Sequence, residues 1–180
     1  PRMPELVCFR YNPGARRTGN AIIGTPLEAK YGVAHDQLLD AYRLARARGA
    51  SRFGLHTMLA SNELDYRYMV ETARMLLEIA EWISGELDIR FEFLNIGGGL
   101  GIPYKPEDAA LDIASMATEI TALFDAFKAR HAYAPALFVE SGRYMTGPHG
   151  VLAASMFHFR GTTLGEARAY LRERGYPVRP

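Results

Sequence analysis

The feature that most constrains this chain is its regular alternation of strand-like and helix-like segments. Runs rich in β-branched and aromatic residues are separated by longer segments whose apolar residues recur at helical spacing. The predicted strands are residues 6–11, 30–33, 52–58, 90–96, 136–139 and 151–159. Successive strand, loop and helix units of this length predict an α/β fold in which helices cover a parallel sheet.

The first two predicted helices have recognisable ends. Gly49 stops a helix over residues 35–47, and the N-cap-like pair Ser61 and Asn62 starts a longer one that Gly85 ends. The predicted buried stripe of that longer helix comprises Leu64, Met69, Ala73, Leu76, Ala80 and Ile83. A stripe of this width indicates a helix that packs against the sheet.

Two further helices are predicted nearer the end of the chain. Residues 113–127 have apolar side chains at helical spacing, and Ala117 is expected on the buried stripe. Thr163 and Glu166 have the spacing of a capping box, and Gly175 stops the short helix that follows. The residues after Gly161 could be a linker that joins a deletion, an out-of-frame translation or a divergent element.

Charge and cysteine content narrow the partners of the chain. The 21 basic and 20 acidic side chains give a net charge of +1, which favours neither nucleic acid nor a membrane surface. No His/Cys spacing indicates a metal site, and the single cysteine, Cys8, is expected to be a small buried side chain in a reducing, cytoplasmic setting. The chain opens on proline and enters a strand almost at once, so we expect a piece of a longer protein.

A glycine-rich segment follows the predicted strand 90–96. Residues 95–104 read Asn-Ile-Gly-Gly-Gly-Leu-Gly-Ile-Pro-Tyr. Glycines let backbone N–H groups converge on an anion such as a phosphate, because no Cβ atom stands in the way. Three glycines in a row are also compatible with a flexible turn.

A second polar motif follows the strand 136–139. Glu140, Gly142 and Arg143 belong to the segment Glu-Ser-Gly-Arg-Tyr. An acid at a strand end could hold a protonated ring nitrogen, and a guanidinium could bind a phosphate or carboxylate with two hydrogen bonds. A surface ion pair is the alternative for this motif taken alone.

The two motifs together, in this order, resemble the fold-type III pyridoxal-phosphate-dependent decarboxylases, which include the diaminopimelate, ornithine and arginine decarboxylases. The resemblance covers roughly residues 6–159. It implies a partial (β/α)8 TIM-type barrel of the alanine racemase-like kind. It also implies that Gly97, Gly98 and Gly99 bind the phosphate of pyridoxal 5'-phosphate, that Glu140 contacts its pyridine nitrogen, and that Arg143 binds the phosphate or the substrate carboxylate.

Upstream segments extend this resemblance. Arg10 begins a stretch similar to the family's Arg-x-Asn-Pro, and residues 30–33 resemble its Lys-Phe-Gly. Residues 54–61 stand where the family has Gly-Leu-His-x-His-x-Gly-Ser, so Arg10, His56, Met58 and Ser61 are implied at the cofactor. Met58 replaces the histidine that stacks on the ring, which puts the substrate in doubt more than the cofactor. A single histidine on a buried strand is more often a satisfied core residue than a catalyst, and this is the alternative for His56.

The family pattern also predicts what lies outside the chain. The lysine bonded to the cofactor belongs to an earlier strand than residues 6–11, and Lys30 matches a different family lysine. We therefore expect residues 1–147 to form a partial cofactor-binding barrel domain that is inactive alone. Residues 148–180 are expected to begin a C-terminal β domain and to end in an unassigned tail.

The resemblance implies that the intact protein decarboxylates a diamino acid such as diaminopimelate, as a homodimer with the active site at the subunit interface. Other basic amino acids, including D-ornithine and D-lysine, are alternative substrates. Racemase-like chemistry is disfavoured, because that group places an arginine where Glu140 stands. A non-catalytic regulatory relative is the remaining alternative, consistent with the missing lysine and with Met58.

Overall fold

The computed structural model describes residues 3–16, 31–105, 107–147 and 163–175. The chain divides into two compact units, Pro1–Thr146 and Gly147–Pro180. The first unit contains the sheet, and the described part of the second contains one helix. The predicted strand 151–159 lies outside the described residues, and the assignment of residues 148–180 to a second domain stays a prediction.

The first unit is built on parallel strands with helices between them, which confirms the predicted α/β fold class. The strands are β1 (Leu6–Asn12), β2 (Val33–Ala34), β3 (Arg52–His56), β4 (Phe91–Gly98) and β5 (Ala136–Glu140). The helices of this unit are α1 (His35–Ala47), α2 (Tyr66–Leu87), α3 (Ile113–His131) and the short α4 (Gly142–Thr146). The sheet has the order β2-β1-β3-β4-β5. Apart from the two-residue β2, its strands lie side by side in sequence order, as consecutive strands of a (β/α)8 barrel do.

The core lies between one face of the sheet and the helices. Leu55 of β3 pairs with Leu94 of β4, and neither side chain is exposed to solvent. On α2, Leu76 and Ile83 are likewise fully buried on the stripe that the helical spacing predicts. Each such side chain contributes about 1.5–3 kcal/mol to folding when it leaves water. Buried side chains from the strands and from α2 therefore form one core on this face of the sheet.

The other face of the sheet, here called the open face, carries the exposed side chains of Cys8 and Glu140 in the part of the chain that the structure describes. Cys8, Gly54 and Phe93 are neighbours in register across β1, β3 and β4. The ring of Phe93 lies over Gly54, where a Cβ atom would overlap it. The Cys8 thiol is exposed on this face, so the prediction of a buried cysteine is wrong. Strand alternation places Cys8 opposite the helix-covered side, and periodicity alone does not reveal which face the helices cover.

The boundaries of α2 differ from those predicted. Its N-cap is Asp65, whose carboxylate accepts a hydrogen bond from the N–H of Arg67. Asn62 does not cap the helix, because its side-chain oxygen instead accepts from the N–H of Ile102. Leu64 consequently precedes α2 and is not part of its buried stripe. Asn62 thus joins the loop after β3 to the segment after β4. Helix-capping rules do not predict such a contact.

The end of α2 also differs, because Gly85 does not stop it. The helix continues to Leu87, which is buried, and ends where Asp88 takes a left-handed backbone with φ of 49°. A helix gains more from one further buried apolar side chain than it loses from an exposed glycine. In α3, Ala117 is exposed while Met116 is buried, so the predicted stripe is wrong at that position.

The second unit contains the helix α5 (Leu164–Glu173). Thr163 and Glu166 form the predicted capping box, in which each side chain accepts a hydrogen bond from the other residue's backbone N–H. Gly175 follows with φ of 78°. The short-range prediction of this helix is therefore confirmed. Within the described ranges, no helix combines the length and the apolar character needed to cross a membrane.

Candidate functional site

Polar side chains line up at the carboxyl ends of the strands, on the open face of the sheet. Arg10 of β1 pairs with His56 of β3, His56 pairs with Asn95 of β4, and Asn95 pairs with Phe138 of β5. Glu140 lies two residues beyond Phe138 and therefore points to the same face. The carboxyl ends of the strands are where barrel enzymes place their active sites. Arg10, His56 and Glu140, implied separately by the sequence, thus share one edge and one face.

The two motifs meet at a β-bulge. The pairing of β4 with β5 passes from Asn95 opposite Phe138 to Gly98 opposite Glu140, so that β4 uses one residue more than β5. Bulges often re-aim side chains beside active sites. Here the bulge makes Gly98 and Glu140 direct neighbours, although 41 residues separate them in the sequence.

The three glycines are required by close packing of backbone. Gly97 and Gly99 have φ of 75° and 95°, and added Cβ atoms would overlap the carbonyl oxygens of Thr57 and Ala60. At Gly98 a Cβ atom would overlap the carbonyl oxygen of Glu140. The turn formed by Gly97, Gly98 and Gly99, here called the glycine turn, therefore lies against both the loop after β3 and the end of β5. Larger residues would separate these three strand ends whether or not an anion binds.

The Glu140 carboxylate is held at one of its two oxygens. Oε1 accepts a hydrogen bond from Nδ2 of Asn95 at 2.8 Å and lies 3.6 Å from Nε2 of His56. The side chain is 55% exposed, so the carboxylate faces the open side of the sheet. The polar contacts that the described residues make with this carboxylate all involve Oε1. The position of Oε1 therefore determines the direction in which Oε2 points.

His56 is a partly buried histidine whose charged form is disfavoured. Its Nε2 is buried and has no hydrogen-bond partner among the described residues. Burial lowers the pKa of His56, the negative charge of Glu140 opposes this effect, and the positive charge of Arg10 adds to it. The neutral ring is therefore the favoured form on the folded chain near pH 7.

The titration of His56 makes stability depend on pH. Because the folded-state pKa lies below the ordinary value of 6.5, the unfolded chain binds the proton first as the pH falls. We expect the free energy of unfolding of the intact protein to fall between pH 7.5 and pH 5.5. The fall should be smaller in His56→Gln, as measured by urea unfolding at the two pH values. An identical fall in both proteins would contradict the burial of this ring.

Met58 and Arg10 brace the glycine turn. The Met58 sulfur accepts a hydrogen bond from the N–H of Gly98 at 3.0 Å, and the Met58 carbonyl oxygen accepts from Nη2 of Arg10 at 2.9 Å. The Arg10 guanidinium also lies 5.5 Å from the ring centre of Tyr31. Met58 therefore contacts the turn through its thioether.

Arg143 and Ser61 come together at a second position near these loops. Nη1 of Arg143 donates to the Tyr104 hydroxyl at 3.0 Å, and Nη2 lies 3.4 Å from Oγ of Ser61. The guanidinium is 5.9 Å from the centre of the Tyr104 ring. A positive charge beside two hydroxyl groups is suited to an anion such as a phosphate. In the described part of the chain, no three His, Cys, Asp or Glu side chains are grouped to bind a metal ion.

Sequence reasoning missed two members of this region. Asn95 and Tyr104 are the first and last residues of the glycine-rich segment, and the sequence assigns neither of them a contact in the site. The contact of Asn95 with Glu140 depends on the bulge between β4 and β5, which the sequence does not reveal. The contact of Tyr104 with Arg143 depends on α4, a short helix that was not predicted.

Comparison with known proteins identifies the family of this chain. Residues 3–147 match the family model described as pyridoxal-dependent decarboxylase, pyridoxal binding domain. Protein TabA of Pseudomonas amygdali pv. tabaci is 38% identical over 87% of this chain and 37% of its own length. Diaminopimelate decarboxylase of Thermoplasma acidophilum is 35% identical over 90% of this chain and 40% of its own length.

A solved structure gives the same result. Diaminopimelate decarboxylase from M. jannaschii in complex with L-lysine superimposes with a TM-score of 0.65 and 26% identity, over 77% of this chain and 32% of that one. The chain thus spans less than half the length of the relatives that it matches. The chain belongs to the pyridoxal-dependent decarboxylases, and residues 3–147 correspond to their pyridoxal-binding domain.

Proposed function

We propose that the intact protein is a pyridoxal-phosphate-dependent decarboxylase of a diamino acid such as diaminopimelate. The observation that carries this proposal is the pairing of Gly98 with Glu140, which brings the glycine turn and the acid to one edge of the sheet. Diaminopimelate decarboxylases among the relatives support the substrate class. A homodimer in the cytoplasm is part of the same proposal.

The residues present fit pyridoxal phosphate. His56 has a buried Nε2 that lacks a hydrogen-bond partner among the described residues, and Glu140 has a carboxylate anchored only through Oε1. Ser61 and Arg143 supply a hydroxyl and a guanidinium for a phosphate. A heterocyclic ring with a basic nitrogen and a phosphate would use both sets of groups.

Each residue has a distinct task in the proposed reaction. The bound cofactor supplies an electron sink for the pair of electrons that the departing CO₂ leaves behind. Glu140 holds a proton on the pyridine nitrogen, which maintains that electron sink through a charge-assisted hydrogen bond. The glycine turn, Ser61 and Arg143 bind the phosphate, and Arg143 is the group that could alternatively bind the substrate carboxylate.

A related activity on another basic amino acid is the second candidate. The observation that favours it is Met58, whose sulfur contacts the N–H of Gly98 where the family has a ring-stacking histidine. A thioether changes the surroundings of the cofactor ring without removing a charge. D-ornithine and D-lysine are therefore the substrates to compare with diaminopimelate.

The proposed function is tested by measuring CO₂ release. The intact protein, loaded with pyridoxal phosphate, is assayed with diaminopimelate and with the L- and D-forms of lysine and ornithine. We expect release from at least one diamino acid, and the best substrate decides between the two candidates. Cofactor binding without CO₂ release from any of these substrates would contradict the proposal and favour a non-catalytic relative.

Met58→His tests the role of the thioether. We expect the substitution to change turnover or substrate preference more than the dissociation constant of the cofactor, because the phosphate contacts are made by other residues. The measurements are steady-state kinetics with the five substrates and a fluorescence titration with pyridoxal phosphate. Met75→His on α2, also half-buried but away from the sheet edge, is the matched control. Weakened cofactor binding with unchanged kinetics would contradict this assignment.

A further inference from the structure

Asn95 is the residue through which the glycine turn and Glu140 are connected by side-chain hydrogen bonds. Its Oδ1 accepts from the N–H of Gly97 at 2.9 Å, and its Nδ2 donates to Oε1 of Glu140 at 2.8 Å. One planar amide therefore satisfies a backbone donor on its own strand and a carboxylate on the next. Both bonds span the bulge at which β4 shifts its register against β5.

We propose that Asn95 is a positioning residue that fixes the direction of the Glu140 carboxylate toward the cofactor while it closes the glycine turn. The inference rests on the proposed function, because it assigns Asn95 a role through Glu140. Asn95 supports the acid by occupying Oε1, so that Oε2 remains for the ring nitrogen. It need not touch the substrate.

Only an amide fits both contacts at once. An aspartate at this position would still accept from the N–H of Gly97, but it would have no donor for Glu140 unless it kept a proton. Two carboxylates at hydrogen-bond distance raise the pKa of the pair, because both cannot be ionised without repulsion. His56 is the other titratable side chain that faces Oε1 among the described residues, and Arg10 acts on His56.

Asn95→Asp is therefore a nearly isosteric test with a pH signature. The folded variant binds a proton that the unfolded chain releases, so its stability relative to the parent should fall as the pH rises. At pH 8, where the pair is ionised, repulsion should displace Glu140 and lower kcat by about tenfold or more, with KM little changed. The measurements are urea unfolding between pH 5 and pH 8, the visible absorbance of the bound cofactor over the same range, and steady-state kinetics.

Two further variants make the test specific. Asn62→Asp is the matched control, because the Asn62 side chain also accepts a hydrogen bond from a backbone N–H, that of Ile102. Among the described residues, no carboxylate is hydrogen-bonded to the Asn62 side chain. This variant should show no pH-dependent loss of stability relative to the parent. In the double variant Asn95→Asp, Glu140→Gln, the amide at position 140 can donate a hydrogen bond to the carboxylate at position 95. This double variant should lose the pH-dependent instability while kcat stays low.

The outcomes separate this inference from the proposed function. A pH dependence in Asn95→Asp that Asn62→Asp lacks, removed by Glu140→Gln, supports the positioning role. Equal pH profiles for Asn95→Asp and the parent, or an equal change in Asn62→Asp, would overturn it. Should the parent bind cofactor but release no CO₂, the proposed function fails, while the unfolding and absorbance titrations still report on Asn95.

Discussion

Glu140→Ala is expected to lower decarboxylation by about 10²-fold or more while the cofactor stays bound. In the proposed site the carboxylate would support the electron sink by holding a proton on the ring nitrogen, whereas the phosphate would be bound by other groups, including Ser61 and Arg143. Removing the acid therefore removes stabilisation that is needed in the transition state and little of what holds the cofactor. The measurements are kcat for CO₂ release and the absorbance of bound pyridoxal phosphate in the intact protein.

Glu86→Ala is the matched control for this variant. Glu86 is exposed on the last turn of α2, so the same loss of a carboxylate there should leave both kcat and cofactor absorbance unchanged. Turnover by Glu140→Ala within a few-fold of the parent would contradict the proposed role of the acid. Loss of the cofactor from Glu140→Ala would instead assign Glu140 to binding.

Gly98→Ala should have a large effect on stability and on the site together. A single methyl group at Gly98 would overlap the carbonyl oxygen of Glu140, and both groups belong to paired strands. Relief of this overlap must separate β4 from β5 or distort the bulge, at a cost of about 1–3 kcal/mol. The same movement displaces the glycine turn that is proposed to bind the phosphate, so the dissociation constant of the cofactor should also rise. Urea unfolding and a fluorescence titration measure the two effects.

Gly85→Ala is the matched control, and we expect this glycine-to-alanine substitution to stabilise the protein. Gly85 lies in the exposed part of α2, and a Cβ atom there would meet nothing within 4 Å. Alanine should stabilise the helix by about 1 kcal/mol and leave cofactor affinity unchanged. Were Gly98→Ala as stable as the parent and unaltered in affinity, the close approach of β4 to β5 would not be needed for the site.

The local structure of this chain follows closely from its sequence. The helix α1 begins and ends where its apolar spacing and Gly49 predict, and the capping box of Thr163 and Glu166 forms as expected. Each of these features depends on residues within a few positions of one another. The two motifs at Gly98 and Glu140 also indicated the family, because each motif is a short run of residues and their order is read directly from the sequence.

Features that depend on a second strand or loop were not predictable in the same way. Asp65 caps α2 because Asn62 is engaged by the N–H of Ile102, and Cys8 is exposed because the helices cover the opposite face. Met58 stands where the family has a stacking histidine, and its sulfur accepts a hydrogen bond from the N–H of Gly98. In each case a contact between residues far apart in the sequence decides the outcome.

The sequence by itself determined the α/β class, most strand and helix positions, and the residues that resemble a pyridoxal-phosphate site. Only the tertiary structure decided that β4 bulges against β5, that Gly98 lies opposite Glu140, and that Asn95 joins the two. The physical reason is that periodicity and capping act within one segment. The direction of a carboxylate depends instead on the register of neighbouring strands, which side chains from both strands set together.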